Sequence, residues 1–200
     1  MSFTILFLIL FAFLLIIAFY LVSIYNRLQS LMNGAQATLS QIRVAMKKRL
    51  DMIESLVDST KSYAKFERET LERITSMRTN LGSASLEELE RINGASRGLA
   101  GNILAVAEGY PRLRTSETVA ATMTAIKDVE DEISRHRYTY NNIIQEYNTM
   151  LVTVPSSIVG SVSRMHEMDY LNFEEDELKR RGYLTTEGEL EPGRPEVKWE

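Results

Sequence analysis

The sequence predicts an all-α protein, in which an N-terminal transmembrane helix continues into an elongated antiparallel up-and-down bundle of three to four helices. Three observations carry that expectation. The first twenty-odd residues are apolar without interruption, and apolar side chains then recur at steps of three and four almost to residue 154. Glycine and proline are scarce, at 10 and 4 in 200 residues, too few for a β protein with many tight turns.

The anchor comes first. From Phe3 to Val22 no residue carries a formal charge, and Thr4 and Tyr20 supply the only hydroxyls. As a helix this run is about 30 Å long, the hydrocarbon thickness of a bilayer. A cleaved signal peptide would show a basic start, a shorter apolar stretch and an A-x-A site. None of these is present, and the helical pattern continues through Ser23, Ile24, Tyr25 and Asn26. The expectation is an uncleaved single span in the cell membrane, with Tyr20 and Tyr25 in the aromatic belt at its exit. Arg27, Arg43, Lys47, Lys48 and Arg49 follow before Leu50 with no acid among them. The positive-inside rule then places the bulk of the chain in the cytoplasm, although only Arg27 lies close enough to the span for the rule to have force.

Residues 23–173 read as the helical bundle. Ile42, Met46, Leu50, Ile53, Leu56/Val57, Thr60, Tyr63/Ala64, Leu71, Ile74, Met77 and Leu81 share one face, which predicts one helix from 23 to 80. Gly82-Ser83-Ala84-Ser85 is the first break, and Ser85 with Glu88 reads as a capping box. A second helix to about Glu108 buries Leu86, Leu89, Ile92, Leu99, Ile103 and Val106. Gly94, Gly98 and Gly101 weaken it, and close approach of a neighbouring helix backbone is the expected compensation. Gly109-Tyr110-Pro111 ends it. A third helix starts near Ser116, buries Val119, Met123, Ile126, Val129, Ile133, Tyr140, Ile143/Ile144, Tyr147 and Leu151, and closes at Val154-Pro155. A shorter amphipathic stretch carries Ile158, Val162 and Met165 on one side. Residues 174–200 open with Glu174, Glu175, Asp176 and Glu177 and read as an acidic, mostly disordered tail.

The lengths have a consequence. A helix over 23–80 measures about 87 Å and one over 116–153 only about 57 Å. Either the first helix kinks near Arg49–Ile53 and folds back, or neighbouring subunits cover its apolar face. No turn signal stands there, so a long helix and a homo-oligomer are expected.

Catalytic chemistry finds no residues to carry it. The chain has no cysteine and two histidines, His136 and His166, so thiol chemistry, Cys-ligated metals and histidine-rich centres are excluded. Asp128, Glu132 and His136 share a helix face, most simply as a solvated stripe. No phosphate-binding glycine motif occurs, and the one stretch with Gly-x-Ser-x-Gly spacing, Gly94-Ala95-Ser96-Arg97-Gly98, lies inside a helical pattern where tight packing is expected, without the strained strand-to-helix turn that a serine nucleophile needs; Gly160-Ser161 has neither context nor partner. Glu67/Glu69 and Glu87/Glu88 read as exposed carboxylates, unlike the partly buried pairs of acid–base catalysis. A net charge of −4 argues against nucleic acid as a partner. Lys47-Lys48-Arg49 lies about 37 Å beyond Val22 on a straight helix. That is many Debye lengths from the headgroups, so a solvated stripe, or failing that an acidic protein face, is expected there. No catalytic, cofactor-binding or metal residue is assigned.

Several stretches resemble the LemA family. They are Tyr25-Asn26-Arg27-Leu28, Ser40-Gln41-Ile42, Lys48-Arg49-Leu50-Asp51-Met52-Ile53 and Lys61-Ser62-Tyr63-Ala64. Val106-Ala107-Glu108-Gly109-Tyr110-Pro111-Arg112-Leu113, Arg137-Tyr138-Thr139-Tyr140-Asn141-Asn142, Val154-Pro155-Ser156-Ser157 and Tyr170-Leu171-Asn172-Phe173 extend the likeness. It covers roughly residues 3–173 in the family's order and spacing. Leu39, Arg43 and Glu54 depart from it, standing where the family usually carries Trp, Asp and Pro. The resemblance implies a single-pass membrane protein with an antiparallel helical bundle and no activity established by motif. It also implies association with membrane proteases or envelope-stress systems. Read from the residues alone, Tyr140-Asn141 and Tyr147-Asn148 lie seven apart, which puts both tyrosines on one seam; an interhelix hydrogen-bond layer is the expectation there, with a ligand site as the alternative. The function expected is a non-catalytic, membrane-anchored scaffold with the lipid bilayer, further copies of itself and a membrane protein such as a protease as partners. The alternative is a sensor or ligand-binding bundle that signals through a partner, since two residues before the span offer no output domain.

Overall fold

The structure is a computed structural model that describes residues 2–60, 67–108 and 117–172. The described residues form five helices and no strand: α1 (Ser2–Thr60), α2 (Glu67–Leu81), α3 (Leu86–Glu108), α4 (Glu117–Val152) and α5 (Ser156–Val162). α1 is 59 residues of unbroken helix, about 88 Å at the standard rise. Its first third, residues 3–22, is exposed throughout, and α1 is the one helix among the described residues long and apolar enough to cross a membrane.

Beyond Val22 the same helix becomes the axis of a bundle. Its buried positions are Ile24, Leu28, Leu31, Ala35, Thr38, Ile42, Ala45/Met46, Arg49/Leu50, Ile53 and Leu56/Val57. Two series with a spacing of seven, 24-31-38-45 and 28-35-42-49-56, run through them. α4 answers with Val119, Ile126, Ile133, Tyr140 and Tyr147, also seven apart. A strict seven-residue repeat keeps two seams facing one another over many turns. α4 lies antiparallel to α1, as the Arg27–Glu146 and Lys48–Glu132 ion pairs require.

The single helix expected over 23–80 is corrected here. α1 is described to Thr60, and α2 runs back along it: Arg78 bonds Asp51 and Glu54, and Arg43 donates to the Ala84 carbonyl at 2.9 Å. The reversal falls after Thr60, past the Arg49–Ile53 segment considered for a kink, through which α1 is continuous. Ile74, Met77 and Leu81 on α2 then pack on Leu50, Ile53, Leu56 and Met46, covering the face that seemed to need a neighbouring subunit. The bundle proper has four helices.

α3 begins as expected. Ser85 Oγ accepts the Glu88 amide at 3.2 Å, while the Glu88 carboxylate turns to Arg91 instead of closing the reciprocal half of the box. α3 then runs beside α1, with Leu89 and Ile92 in the central core cluster and Leu99 and Ala100 in the distal one. A third cluster of Ile24, Leu28, Leu31 and Tyr147 lies nearest residues 3–22. The helix stop at Gly109-Tyr110-Pro111 and the acidic tail of 174–200 lie outside the described residues.

Candidate functional site

Arg49 is the organising residue. It stands at a seam position of α1, seven after Ile42 and seven before Leu56, and is 1% exposed. Its Nη2 donates to Asn93 Oδ1 at 2.8 Å and Ser96 Oγ at 2.6 Å, with the Asn93 carbonyl at 3.3 Å. Both partners sit on the buried face of α3, where Ser96 also donates back to the Ile92 carbonyl at 2.8 Å. On the other side Nη1 is 3.8 Å from Glu130 of α4, a carboxylate that also faces Arg97 Nε at 3.7 Å. Burial pulls the Arg49 pKa down to about 10, against an upward pull from Glu130 and a further lowering by Arg97. The guanidinium therefore remains charged at neutral pH, and its Nε has no partner. The expectation of a solvated basic stripe at Lys47-Lys48-Arg49 is corrected: Lys47 is exposed, Lys48 pairs with Glu132 at 3.4 Å, and Arg49 is core.

Beside this cluster α3 and α4 part to leave a groove of about 630 Å³, which Asn93 and the carboxylates of Glu90 and Glu130 help to line. Gly94, Gly98 and Gly101 form its α3 wall, with Arg97 and Lys127 on its flanks and Asn172 at its lip. The glycines were expected to let a neighbouring helix backbone approach closely. Within the chain none does: a Cβ built on any of the three would meet nothing within 4 Å. A second hollow of about 400 Å³ lies on the other side of α3, against α2, and includes Arg73, Asn80 and Arg91. α3 thus touches the bundle along one edge and is open on both flanks.

A segment with no regular structure closes the other end. Residues 165–172 lie along α4, held by two asparagines seven apart. The Asn148 amide donates to the Met168 carbonyl at 2.8 Å and accepts the Met168 amide at 3.0 Å. Asn141 repeats the arrangement on Leu171, at 3.1 and 2.9 Å. The Tyr140 hydroxyl donates to the Asp169 carbonyl at 3.2 Å, and the Asn172 amide reaches Glu90 of α3 at 2.7 Å. The Tyr-Asn layer expected between helices is therefore a clamp between one helix and a strap. Burial raises the pKa of Tyr140, reinforced by the Asp169 carboxylate and opposed by Arg43; burial alone raises that of Tyr147.

The other residues weighed in the sequence are not brought together into a site. Glu132 faces His136 at 3.8 Å, both half-buried, Asp128 and His166 are exposed, and the described residues hold no group of three or more metal-ligating side chains. Glu87 is exposed beside Glu88, Glu67 lies in the first turn of α2, and Gly160 packs against Leu151 with Ser161 facing out. Of the three departures from the family pattern, Arg43 bonds Ala84, Glu54 bonds Arg78, and Leu39 packs on the central core. What the sequence reading missed is the Arg49–Asn93–Ser96 cluster. Its one available signal was the position of Arg49 in the seven-residue series.

Comparison with known proteins adds a family. The model of the LemA family matches residues 38–182. The chain is similar to Protein LemA of Metamycoplasma hominis, 29% identical over 185 residues that cover 90% of this chain and 84% of the relative. It is also similar to Magnetosome protein MamQ 2 of Paramagnetospirillum magneticum, 24% identical over 174 residues, and to Magnetosome protein MamQ of Magnetospirillum gryphiswaldense, 22% identical over 176. Those two matches cover 73% and 74% of this chain, but 64% of each MamQ protein's length.

Proposed function

The chain belongs to the LemA family, and on that premise we propose that this membrane-associated helical protein is a non-catalytic, single-pass scaffold. It self-associates and organises membrane, or recruits a membrane partner such as a protease. The carrying observation is the continuity of α1: one helix holds the apolar residues 3–22 and the whole axis of the bundle, with no linker between them. From Val22 to Thr60 it projects about 57 Å at the standard rise, a stiff stand-off suited to presenting a surface at fixed height and orientation. None of the relatives' names is that of an enzyme, and two of them are named as magnetosome proteins.

The length mismatch that first argued for self-association is closed within one chain. Support for a docking partner comes instead from the open flank of α3. Three glycines in one helix cost about 1 kcal/mol each relative to alanine, and their own bundle makes no use of the space. A helix from another molecule laid there would. The test is the native mass of the full-length chain extracted in mild detergent, beside a chain lacking residues 1–24. A discrete assembly is the expected result; a monomer in both would refute self-association.

One observation favours a second reading, a ligand-binding bundle that signals through a partner. Arg97 and Lys127 line the groove, beside Glu90 and Glu130, and the two cations are what an anionic ligand would engage. Thermal stabilisation of the protein by small anions in a ligand screen, with loss of the effect in Arg97→Gln, would support it over the scaffold.

A further inference from the structure

We propose that the corner between α4 and α5 is a second membrane contact. In it, Val152, Val154, Ile158 and Val162 sit in the headgroup–acyl boundary of the leaflet from which α1 emerges. The proposal rests on residues 3–22 crossing the bilayer, and the experiment below separates the two.

The first ground is exposure. Val152 is 65% exposed, Val154 79%, Ile158 57% and Val162 80%. The sequence pattern put Ile158, Val162 and Met165 on one side of a short amphipathic stretch. The structure turns Ile158 and Val162 outward, packs Met165 on the core, and buries Ser156 and Gly160. Single exposed apolar residues are ordinary, but four on one short corner are a patch of the kind that marks an interaction surface. No charged side chain occurs between Glu146 and Arg164 to make that corner soluble.

The second ground is height. Glu146 of α4 pairs with Arg27 of α1 at 2.5 Å, which fixes the antiparallel register at that level. Six residues further along α4 is Val152; six residues back along α1 is Leu21, inside the last turn of the apolar run. The corner therefore descends about 9 Å from the ion pair, to the level at which a span of residues 3–22 would leave the hydrocarbon. Tyr20 and Tyr25, both exposed, stand at the same height, where interfacial aromatics belong.

The third ground is that the corner is held in this pose from within. Tyr147 packs with Ile24, Leu28 and Leu31, and Leu151, Val159 and Met165 close over them. Gly160 lets α5 approach so closely that a Cβ there would lie 2.6 Å from Leu151 Cδ2. The outward face is thus a built feature of a packed corner. A bilayer surface is the occupant that continuity with α1 selects, because an interfacial apolar segment buries about 5–10 Å into the headgroup–acyl boundary. A second copy of the chain could cover the same side chains only by displacing that lipid.

The chain has no cysteine, so single labels can be placed without ambiguity. Full-length Val154→Cys, Val162→Cys, Leu10→Cys and Val44→Cys proteins would carry an environment-sensitive fluorophore. Each would be reconstituted in phosphatidylcholine–phosphatidylglycerol vesicles containing lipids brominated at shallow or deep acyl positions. Leu10 reports the span; Val44 is exposed and about 33 Å beyond Val22. Expected are blue-shifted emission and at least threefold stronger quenching by shallow than by deep bromine at 154 and 162, deep quenching at 10, and none at 44. Quenching at 10 with none at 154 and 162 overturns the corner contact while the anchor stands. No quenching at 10 overturns both. A blue shift at 154 and 162 that no bromolipid quenches means protein covers the patch, and also overturns the proposal. To exclude insertion driven by the fluorophore, an Ile158→Cys label is read with and without Val154→Asp and Val162→Asp. The aspartates are expected to abolish its quenching while leaving the far-ultraviolet circular dichroism unchanged; quenching that survives them overturns the contact.

Discussion

Arg49 and Asn93 should be energetically coupled, and the size of that coupling follows from who is left unpaired. In Asn93→Leu the guanidinium loses its 2.8 Å acceptor but keeps Ser96 Oγ and the distant Glu130, so the cost is that of one charge-assisted hydrogen bond, about 2 kcal/mol. In Arg49→Met the buried Asn93 Oδ1 loses its donor, again about 2 kcal/mol. Glu130, one-third exposed, is rehydrated and leaves no orphaned charge, so the 3–5 kcal/mol typical of a broken buried pair is not reached. The double variant has neither orphan. It should cost about 1–2 kcal/mol, since Met and Leu fill the space and only Ser96 loses a partner. The coupling is then about 2–3 kcal/mol, well outside the 0.5 kcal/mol scatter of independent sites. Urea unfolding of the four full-length proteins in the same detergent, followed at 222 nm, measures it; residues 3–22 contribute equally to all. Additivity within 0.5 kcal/mol would refute the claim that Arg49 and Asn93 form one coupled buried unit.

Three further outcomes are expected. Asn148→Ala removes both hydrogen bonds to Met168 and should cost about 1–3 kcal/mol, with the Met168 amide gaining deuterium faster while amides in the middle of α4 are unchanged. Gly98→Ala meets nothing within 4 Å and should stabilise α3 by about 0.5–1 kcal/mol, read as a higher Tm; destabilisation would show that the groove closes in solution. Tyr140 and Tyr147, whose pKa values lie above 10 in the fold, contribute stability that is present below pH 10 and lost as the pH rises through their folded values. Arg49, lowered to about 10 from 12.5, acts in the opposite sense over the same window. The comparison is therefore between wild type and Tyr140→Phe, whose stability should fall less between pH 9 and 11.

Much of the bundle was legible because its seams are periodic. Ile42, Leu50, Ile53, Val119, Ile126, Ile133, Tyr140 and Tyr147 are buried where the three-and-four spacing placed them. The end of α1 was not legible, and the reason is local. No glycine or proline stands between Gly34 and Gly82, so no residue announces a reversal. Propensity differences of a few tenths of a kcal/mol per residue are outweighed by burying Ile74 and Leu81, each contributing about 1.5–3 kcal/mol. Arg49 was hidden by its neighbours. A run of three cations reads as one feature, yet successive helix positions are 100° apart and only the third falls on the seam. The strap was unreadable for a different reason: its hydrogen bonds come from asparagine side chains, and no main-chain periodicity records them.

The height of the groove constrains what can use it. Arg49, whose partner Asn93 lines the groove, lies 27 residues beyond Val22, so that level stands about 40 Å from the end of residues 3–22 along α1. A single-pass protein with a short juxtamembrane segment could pack beside those residues but could not reach the α3 glycines. A partner with an upright helical headpiece, including a second copy of this chain, could. Because α1 has no break between the apolar run and the seam, rotation of one end about its axis rotates the other. The facing of the groove is then tied to the rotational setting of residues 3–22, with no break in α1 to uncouple the two.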